Sequence, residues 1–149
     1  MSGGPWIVRP CGLLIRDHKL LWMRYLYSGE SRYNLPGGNL EANEEIREGL
    51  RREFMEEVSL EVTVGALLGS VQTVAAGRGV LHLLFAVNSS GLPQLNPDET
   101  KALELVWLSA EQAAEKSLYP ALPQAALKSV LAGKPLEKGH LGMVEQPWL

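Results

Sequence analysis

A single cysteine, Cys11, among 149 residues excludes an internal disulfide and leaves no thiolate set to cage a metal. Burial in a strand is the role expected of such a lone thiol. No apolar run reaches the roughly 20 residues that cross a bilayer. Residues 1–10 lack the basic-then-apolar order of a secretory leader, so a cytoplasmic protein is the default expectation. Basic charge is also scarce. Lys and Arg number 14 against 17 Asp and Glu, a formal net charge of −3, which offers no broad affinity for nucleic acid. The sequence shows no internal repeat, no low-complexity segment, and neither a Ser/His/Asp nor a Cys/His motif of nucleophilic enzymes. What is present is ordinary globular material, 46% hydrophobic and 21% charged. Its length suits one compact domain over residues 1–149 with a core of its own.

Hydrophobic pattern and breakers divide the chain. Residues 6–15 and 20–25 have strand composition, with Arg16-Asp17-His18-Lys19 between them as a hairpin turn. Residues 27–34 read as a polar loop around Gly29, followed by the strong break Leu35-Pro36-Gly37-Gly38. A helix is expected to begin between Asn43 and Ile46, with Glu44 and Glu45 favoured by the dipole of its first turn. Ile46, Leu50, Phe54 and Val58 recur every four residues as its buried stripe. Residues 62–74 and 80–87 read as strands about a turn at 75–79. Residues 88–100 form a long surface loop, and 103–108 a last strand. Ser109 is placed to cap a short helix, and 122–131 reads as a second helix stopped by Gly133 and Pro135. The tail, 135–149, has no clear periodicity. Strands mixed with helices and partly joined by hairpins predict an α/β (α+β) fold with a mixed sheet between helices.

The informative segment is 38–60, GNLEANEEIREGLRREFMEEVSL. Glu53, Glu56 and Glu57 fall within an arc of about 100° on the helix. Three carboxylates on one arc repel one another unless cations sit among them. Hard divalent ions such as Mg²⁺ or Mn²⁺ suit all-oxygen donors, bridge to phosphates and lower the pKa of a bound water. They would also supply the positive charge that an acidic protein needs to handle phosphates. Gly49, one turn before Glu53, leaves room for a ligand or for the incoming loop.

This segment resembles the signature of the Nudix (MutT-like) family, G-x5-E-x7-R-E-U-x-E-E-x-G-U with U a bulky apolar residue. Gly38, Glu44, Arg52, Glu53, Phe54, Glu56, Glu57 and Leu60 take the expected places, and Leu35-Pro36-Gly37 resembles the family's usual lead-in. The six glycine and charged matches would coincide by chance about once in ten million windows. Ser59 departs from the pattern, standing where the family has glycine to permit a left-handed exit from the helix. Phe54 is larger than the usual aliphatic residue.

The resemblance implies a Nudix-type mixed sheet sandwiched between helices. It implies hydrolysis of a phosphoanhydride, NDP–X and water giving NMP and phosphate–X, with Mg²⁺ or Mn²⁺ as cofactor and no covalent enzyme intermediate. Glu53, Glu56 and Glu57 would then be metal ligands and catalytic groups, with backbone carbonyls at Gly37 and Gly38 joining them. Gly38, Glu44, Arg52 and Leu60 would be structural or orienting, Arg52 bracing the catalytic set. Many relatives place one more acid late in the sheet or in the loop before it. Glu104 and Glu99 are the choices here, with Asp98 behind them.

Outside the box, Arg32 and Tyr33 are the foremost candidates to stack on a base or hold a phosphate, with Arg9, Arg78, His82 and Trp6 after them. His82 reads equally as a hydrogen-bonded core histidine, and Trp107 as core. Residues typical of enzymes for ADP-ribose, diadenosine polyphosphates and coenzyme A are absent. A nucleoside di- or triphosphate is left as substrate, with nucleotide sugars as the alternative. The rival from another class is a non-catalytic Nudix-like module that senses a nucleotide; a scaffold for protein contacts is a further one. No nucleic-acid or membrane partner is expected. The apolar residues Leu141, Met143, Val144, Trp148 and Leu149 of the tail suggest a homodimer interface, or a tail folded back over its own sheet.

Overall fold

The computed structural model of the chain describes residues 5–146. Three β-hairpins build most of the sheet, and each turns through two consecutive residues of positive φ. Asp17 and His18 join β1 (Trp6–Arg16) to β2 (Lys19–Tyr27), Ser28 and Gly29 join β2 to β3 (Glu30–Asn34), and Ala76 and Gly77 join β4 (Thr63–Ala75) to β5 (Arg78–Asn88). Two left-handed turn residues match the twist of the flanking strands. The polar loop expected over residues 27–34 is therefore a two-residue turn followed by strand β3. Its polar residues face a cleft on one side, which hides the alternation that marks a strand.

Between β3 and β4 lies helix α1 (Ile46–Val58). After β5 come β6 (Glu104–Leu108), α2 (Ala110–Ala114), β7 (Leu118–Tyr119), α3 (Gln124–Leu131) and β8 (His140–Glu145). The strands form one mixed sheet in the order β7-β3-β2-β1-β5-β4-β8, with β6 pairing β2. The tail expected to be irregular supplies β8, which runs parallel to β4. The expected alternative of a tail folded back on its own sheet is what residues 136–146 do, with Leu136 buried beneath. Trp148 and Leu149 lie outside the described residues.

Two apolar clusters fill the two faces of the sheet. Leu50, Phe54 and Val58 of α1 pack on Leu14, Leu21, Met23, Phe85 and Val87. On the other face Ala110, Ala113, Ala126, Leu127 and Val130 of α2 and α3 pack on Leu13, Trp22, Leu68, Val71 and Leu84. Phe54 fits because Gly12 lies under it: a Cβ at Gly12 would strike the Phe54 ring. The unusually large box residue is thus matched by a missing side chain on β1.

One irregularity of the sheet positions the site. β1 joins β2 at Ile15↔Leu20 and Arg16↔Lys19, then diverges and runs parallel to β5. In the gap the segment 35–40 lies along β1, with Gly12 N–H donating to Pro36 C=O at 2.9 Å and Leu40 N–H to Val8 C=O at 2.9 Å. Gly37 bridges Cys11 so closely that a Cβ would collide with the Pro10 carbonyl. The glycine turn is thereby clamped to the sheet immediately before α1.

Candidate active site

Helix α1 starts and stops on residues of the 38–60 segment, one through its side chain and one through its backbone. Glu45 is the N-cap, its carboxylate accepting from Arg47 N–H at 3.0 Å and Glu48 N–H at 3.3 Å, which satisfies two of the donors a helix start leaves open. Ser59 ends the helix in the left-handed conformation, φ 54° and ψ 38°, its N–H returning to Phe54 C=O. Ser59 thus adopts the turn that glycine would make without strain. The loop after β5 folds onto this end, Gln94 and Asn96 donating N–H to the Val58 and Glu57 carbonyls. The space beside Gly49 is filled by Leu40 and the Glu44 carboxylate, so it serves the incoming loop and not a ligand.

With the buried stripe facing the sheet, the acidic arc turns toward the glycine segment. Arg52 gathers the acids. Its guanidinium grips Glu44 with two bonds, Nε to Oε2 at 2.6 Å and Nη2 to Oε1 at 3.0 Å, and reaches Glu53 and Glu56 at 3.1 Å each. This fork geometry holds planar carboxylates in fixed orientation. The Arg52 hydrogen bonds hold the Glu44 carboxyl below its usual range. Glu53 lies against Gly38, where a Cβ would fall on its carboxylate. Burial pushes the Glu53 pKa up, against the pull of Arg52.

Glu57 is the least compensated acid. Its Oε1 is buried and has no hydrogen-bond partner among the described residues. Burial foremost, with the neighbouring Glu53 charge, pushes its pKa up to about 8, although Arg9 and the Gly37 N–H act in the opposite direction. A buried carboxylate in that condition favours a proton or a cation. Among the described residues no three His, Cys, Asp or Glu side chains converge into a ready-made cage; Glu53 and Glu56 each lie 3.1 Å from Arg52 Nη1. The oxygens that could hold a hard cation here are those of Glu53, Glu57 and the main chain at the glycine turn, with the Glu56 carboxylate beside them.

Glu53 and Glu57 form one wall of a cleft of ≈ 480 Å³, with Gly37, Gly38 and Glu41 at its edge. The facing wall is cationic and aromatic. Arg32 lies over the rings of Tyr27, at 4.8 Å, and Tyr119, at 4.4 Å, and Tyr25 stacks on Tyr27 with ring centroids 5.8 Å apart. Arg9, only 4% exposed, donates to Leu35 C=O at 2.6 Å and to Cys11 Sγ at 2.7 Å, and faces Tyr119. Among the described residues no carboxylate lies within ion-pair distance of Arg9. Behind it His82 is fully buried, with Nε2 2.8 Å from Thr73 Oγ1 and its ring edge-on to Tyr119. Burial and Arg9 drive the His82 pKa down to about 2, so it stays neutral.

The structure thus brings Arg9, Arg32, Gly37, Gly38, Arg52, Glu53 and Glu57 together and leaves the other candidates elsewhere. Glu56 is half-exposed beside the cleft. Tyr33 alternates to the opposite face of β3 and packs on the helix side under Lys116. Arg78 is exposed at the far hairpin, His82 forms a layer behind the cleft, and Trp6 covers Gly79. Glu104 is exposed on β6 in an ion pair of 2.7 Å with Arg24, Glu99 and Asp98 sit exposed on a turn, and none of the three lines the cleft. Trp107 packs at the rim of the α1-side core. Tyr25, Tyr27, Asn34 and Tyr119 line the cleft and were not anticipated. The first three alternate on β2 and β3 with Arg32, a signal legible once 30–34 is read as a strand. Tyr119 sits in a two-residue strand that carries no periodicity.

Residues 8–127 match the NUDIX domain. The chain is 32% identical over 110 residues to a MutT-like protein of Streptomyces ambofaciens, covering 73% of this chain and 68% of that one. It is 34% identical over 90 residues to the CTP pyrophosphohydrolase of Escherichia coli strain K12, covering 60% of this chain and 64% of that one. In structure it is similar to the E. coli ORF135 protein, with TM-score 0.72, 29% identity and coverage of 87% and 94% of the two chains. The box, the clamped glycine turn and these likenesses place the chain in the Nudix family, hydrolases that act on phosphoanhydride bonds and generally use divalent metals.

Proposed function

We propose that this chain is a divalent-metal-dependent pyrophosphohydrolase of nucleoside triphosphates, converting NTP and water to NMP and pyrophosphate. The observation that carries the reading is the buried, unpartnered Glu57 Oε1 beside Glu53, facing an arginine–tyrosine wall across one cleft. An acidic wall alone would repel a polyphosphate, and a cationic wall alone would bind it without activating water. The similarity to a CTP pyrophosphohydrolase supports a triphosphate over a nucleotide sugar.

Glu53 and Glu57, with main-chain oxygen at Gly37 and Gly38, would hold the cation; their hard oxygen donors suit Mg²⁺ or Mn²⁺. When bound, such an ion neutralises the phosphates and acts as a Lewis acid. Arg52 keeps Glu53 and Glu56 oriented through its fork to Glu44. Glu53, on the wall of the cleft, is the acid placed to accept the proton of the attacking water. Arg32 and Arg9 offer positive charge to the phosphates, and Tyr27 on the cleft wall offers an aromatic ring to the base. Glu104 and Glu99 take no part in this mechanism.

The substrate assignment is tested by assaying hydrolysis of nucleoside triphosphates, nucleotide sugars, dinucleotides and coenzyme A with Mg²⁺ or Mn²⁺. Release of NMP and pyrophosphate from a triphosphate is expected. Folded protein that turns over none of them contradicts the proposal. Among the described residues no helix is long and apolar enough to cross a membrane, and the substrate pool supports a cytoplasmic location. Exposed Leu141, Met143 and Val144 on the edge strand β8 support a homodimer with β8 at its interface.

A further inference from the structure

The two end strands of the sheet, β7 and β8, meet at one side chain. Gln146, just past β8, donates its N–H to Val74 C=O of β4 at 3.0 Å. Its side-chain Oε1 accepts from Ala121 N–H at 3.1 Å, and its Nε2 donates to Leu118 C=O at 2.6 Å. These bonds bracket Tyr119, the residue of β7 that reaches the cleft. Tyr119 is 1% exposed overall, faces both Arg9 and Arg32 and has its hydroxyl 3.5 Å from Thr73 Oγ1. β7 itself is two residues long and pairs with β3 at Tyr33↔Leu118 and Asn34↔Tyr119, too short a ladder to fix a ring by itself. β8 and Gln146 lie beyond residue 127, where the NUDIX match stops.

We infer that Gln146 is a positioning residue for the substrate side of the cleft: the carboxy-terminal strand clamps Leu118–Tyr119 and thereby sets the buried ring on which Arg32 rests, and with it the guanidinium that meets the nucleotide's phosphates. The inference rests on the proposed nucleotide site and adds to it a control point beyond residue 127, where the NUDIX match stops. Gln146 touches neither the acidic wall nor the glycine turn, so its loss acts on nucleotide affinity and spares the box. The clamp makes two side-chain bonds to main chain, and their loss weakens nucleotide binding by about tenfold.

The test compares wild type, Gln146→Ala and Gln146→Glu in Mg²⁺, measuring KM and kcat for a nucleoside triphosphate and Kd for a non-hydrolysable triphosphate analogue. Gln146→Ala is expected to raise KM and Kd about tenfold with kcat within about twofold of wild type. Gln146→Glu keeps the acceptor for Ala121 N–H but sets a carboxylate oxygen against the Leu118 carbonyl, so it is expected to raise KM and Kd at least as much as Gln146→Ala. In a Tyr119→Ala background Gln146→Ala adds little, because both act through the same ring. An unchanged Kd in folded Gln146→Ala, a loss confined to kcat, or full additivity with Tyr119→Ala overturns the inference. Wild-type protein that neither hydrolyses nor binds any triphosphate overturns the nucleotide reading beneath it, a different result from wild-type binding that Gln146→Ala leaves intact.

Discussion

Ser59 and Glu57, two residues apart, are each held at a cost. Ser59 is the one box position where the sequence departs from the family glycine, and the backbone makes the left-handed turn regardless, at φ 54°. Its side chain is exposed, so removing it relieves strain and breaks no packing. Ser59→Gly is expected to stabilise the fold by about 0.5–1 kcal/mol, after offsetting glycine's greater unfolded-state entropy; an unchanged or lowered denaturation midpoint counts against this. Glu57 has a folded pKa of about 8 against an ordinary 4.5. Between those values the folded chain binds more protons than the unfolded one, so stability falls as pH rises from about 4.5 to about 8 and levels outside that window. In cation-free buffer Glu57→Gln removes this slope and is more stable than wild type at pH 9, by roughly a few kcal/mol at most. Parallel stability–pH curves for the two proteins would show that the carboxylate is not under-compensated.

Among the elements, helix α1 was the most legible, since its four-residue stripe, its acids and its start all follow from spacing. The hairpins at Asp17-His18 and Ala76-Gly77 were legible from composition. β3, β7 and β8 were not. β3 carries arginine and asparagine toward the cleft, β7 is a fragment held by pairing to β3, and β8 exists through its ladder with β4 and through Gly139 and Gly142 in positive φ. Their formation depends on tertiary partners, which overrule local propensity. The acidic wall of the site was therefore readable, whereas Tyr27, Asn34 and Tyr119 on the facing wall were not. The late acid shows the same limit. A glutamate on β6 satisfies the resemblance's late place in the sheet, but only the fold reveals that Glu104 pairs with Arg24. Glu104→Gln and Glu99→Gln are expected to retain turnover within about threefold, while Glu53→Gln loses at least roughly 100-fold. A steady-state comparison decides this, and a severe loss in Glu104→Gln would return the late acid to the mechanism.

At the scale of the molecule, the sheet separates the layer of α2 and α3 from the layer that carries α1, and the divergence of β1 from β2 opens the cleft on the latter. The same sheet ends in β8, an edge strand with Met143 63% exposed and, among the described residues, no strand paired on its outer side. Such an edge invites a second chain. The proposed homodimer predicts a dimer mass for the full chain by light scattering, reduced to monomer by Met143→Glu with the melting temperature retained. A monomeric wild type contradicts it. The central claim is that the acids of α1 form a cation-dependent hydrolytic centre. It is tested most directly by titrating Mg²⁺ into folded wild type, Glu53→Gln and Glu57→Gln while measuring pyrophosphate release from a nucleoside triphosphate. The account predicts no turnover without the cation, saturable turnover in wild type, and at least roughly 100-fold less in both variants at every Mg²⁺ concentration; cation-independent turnover, or variants that match wild type, would contradict it.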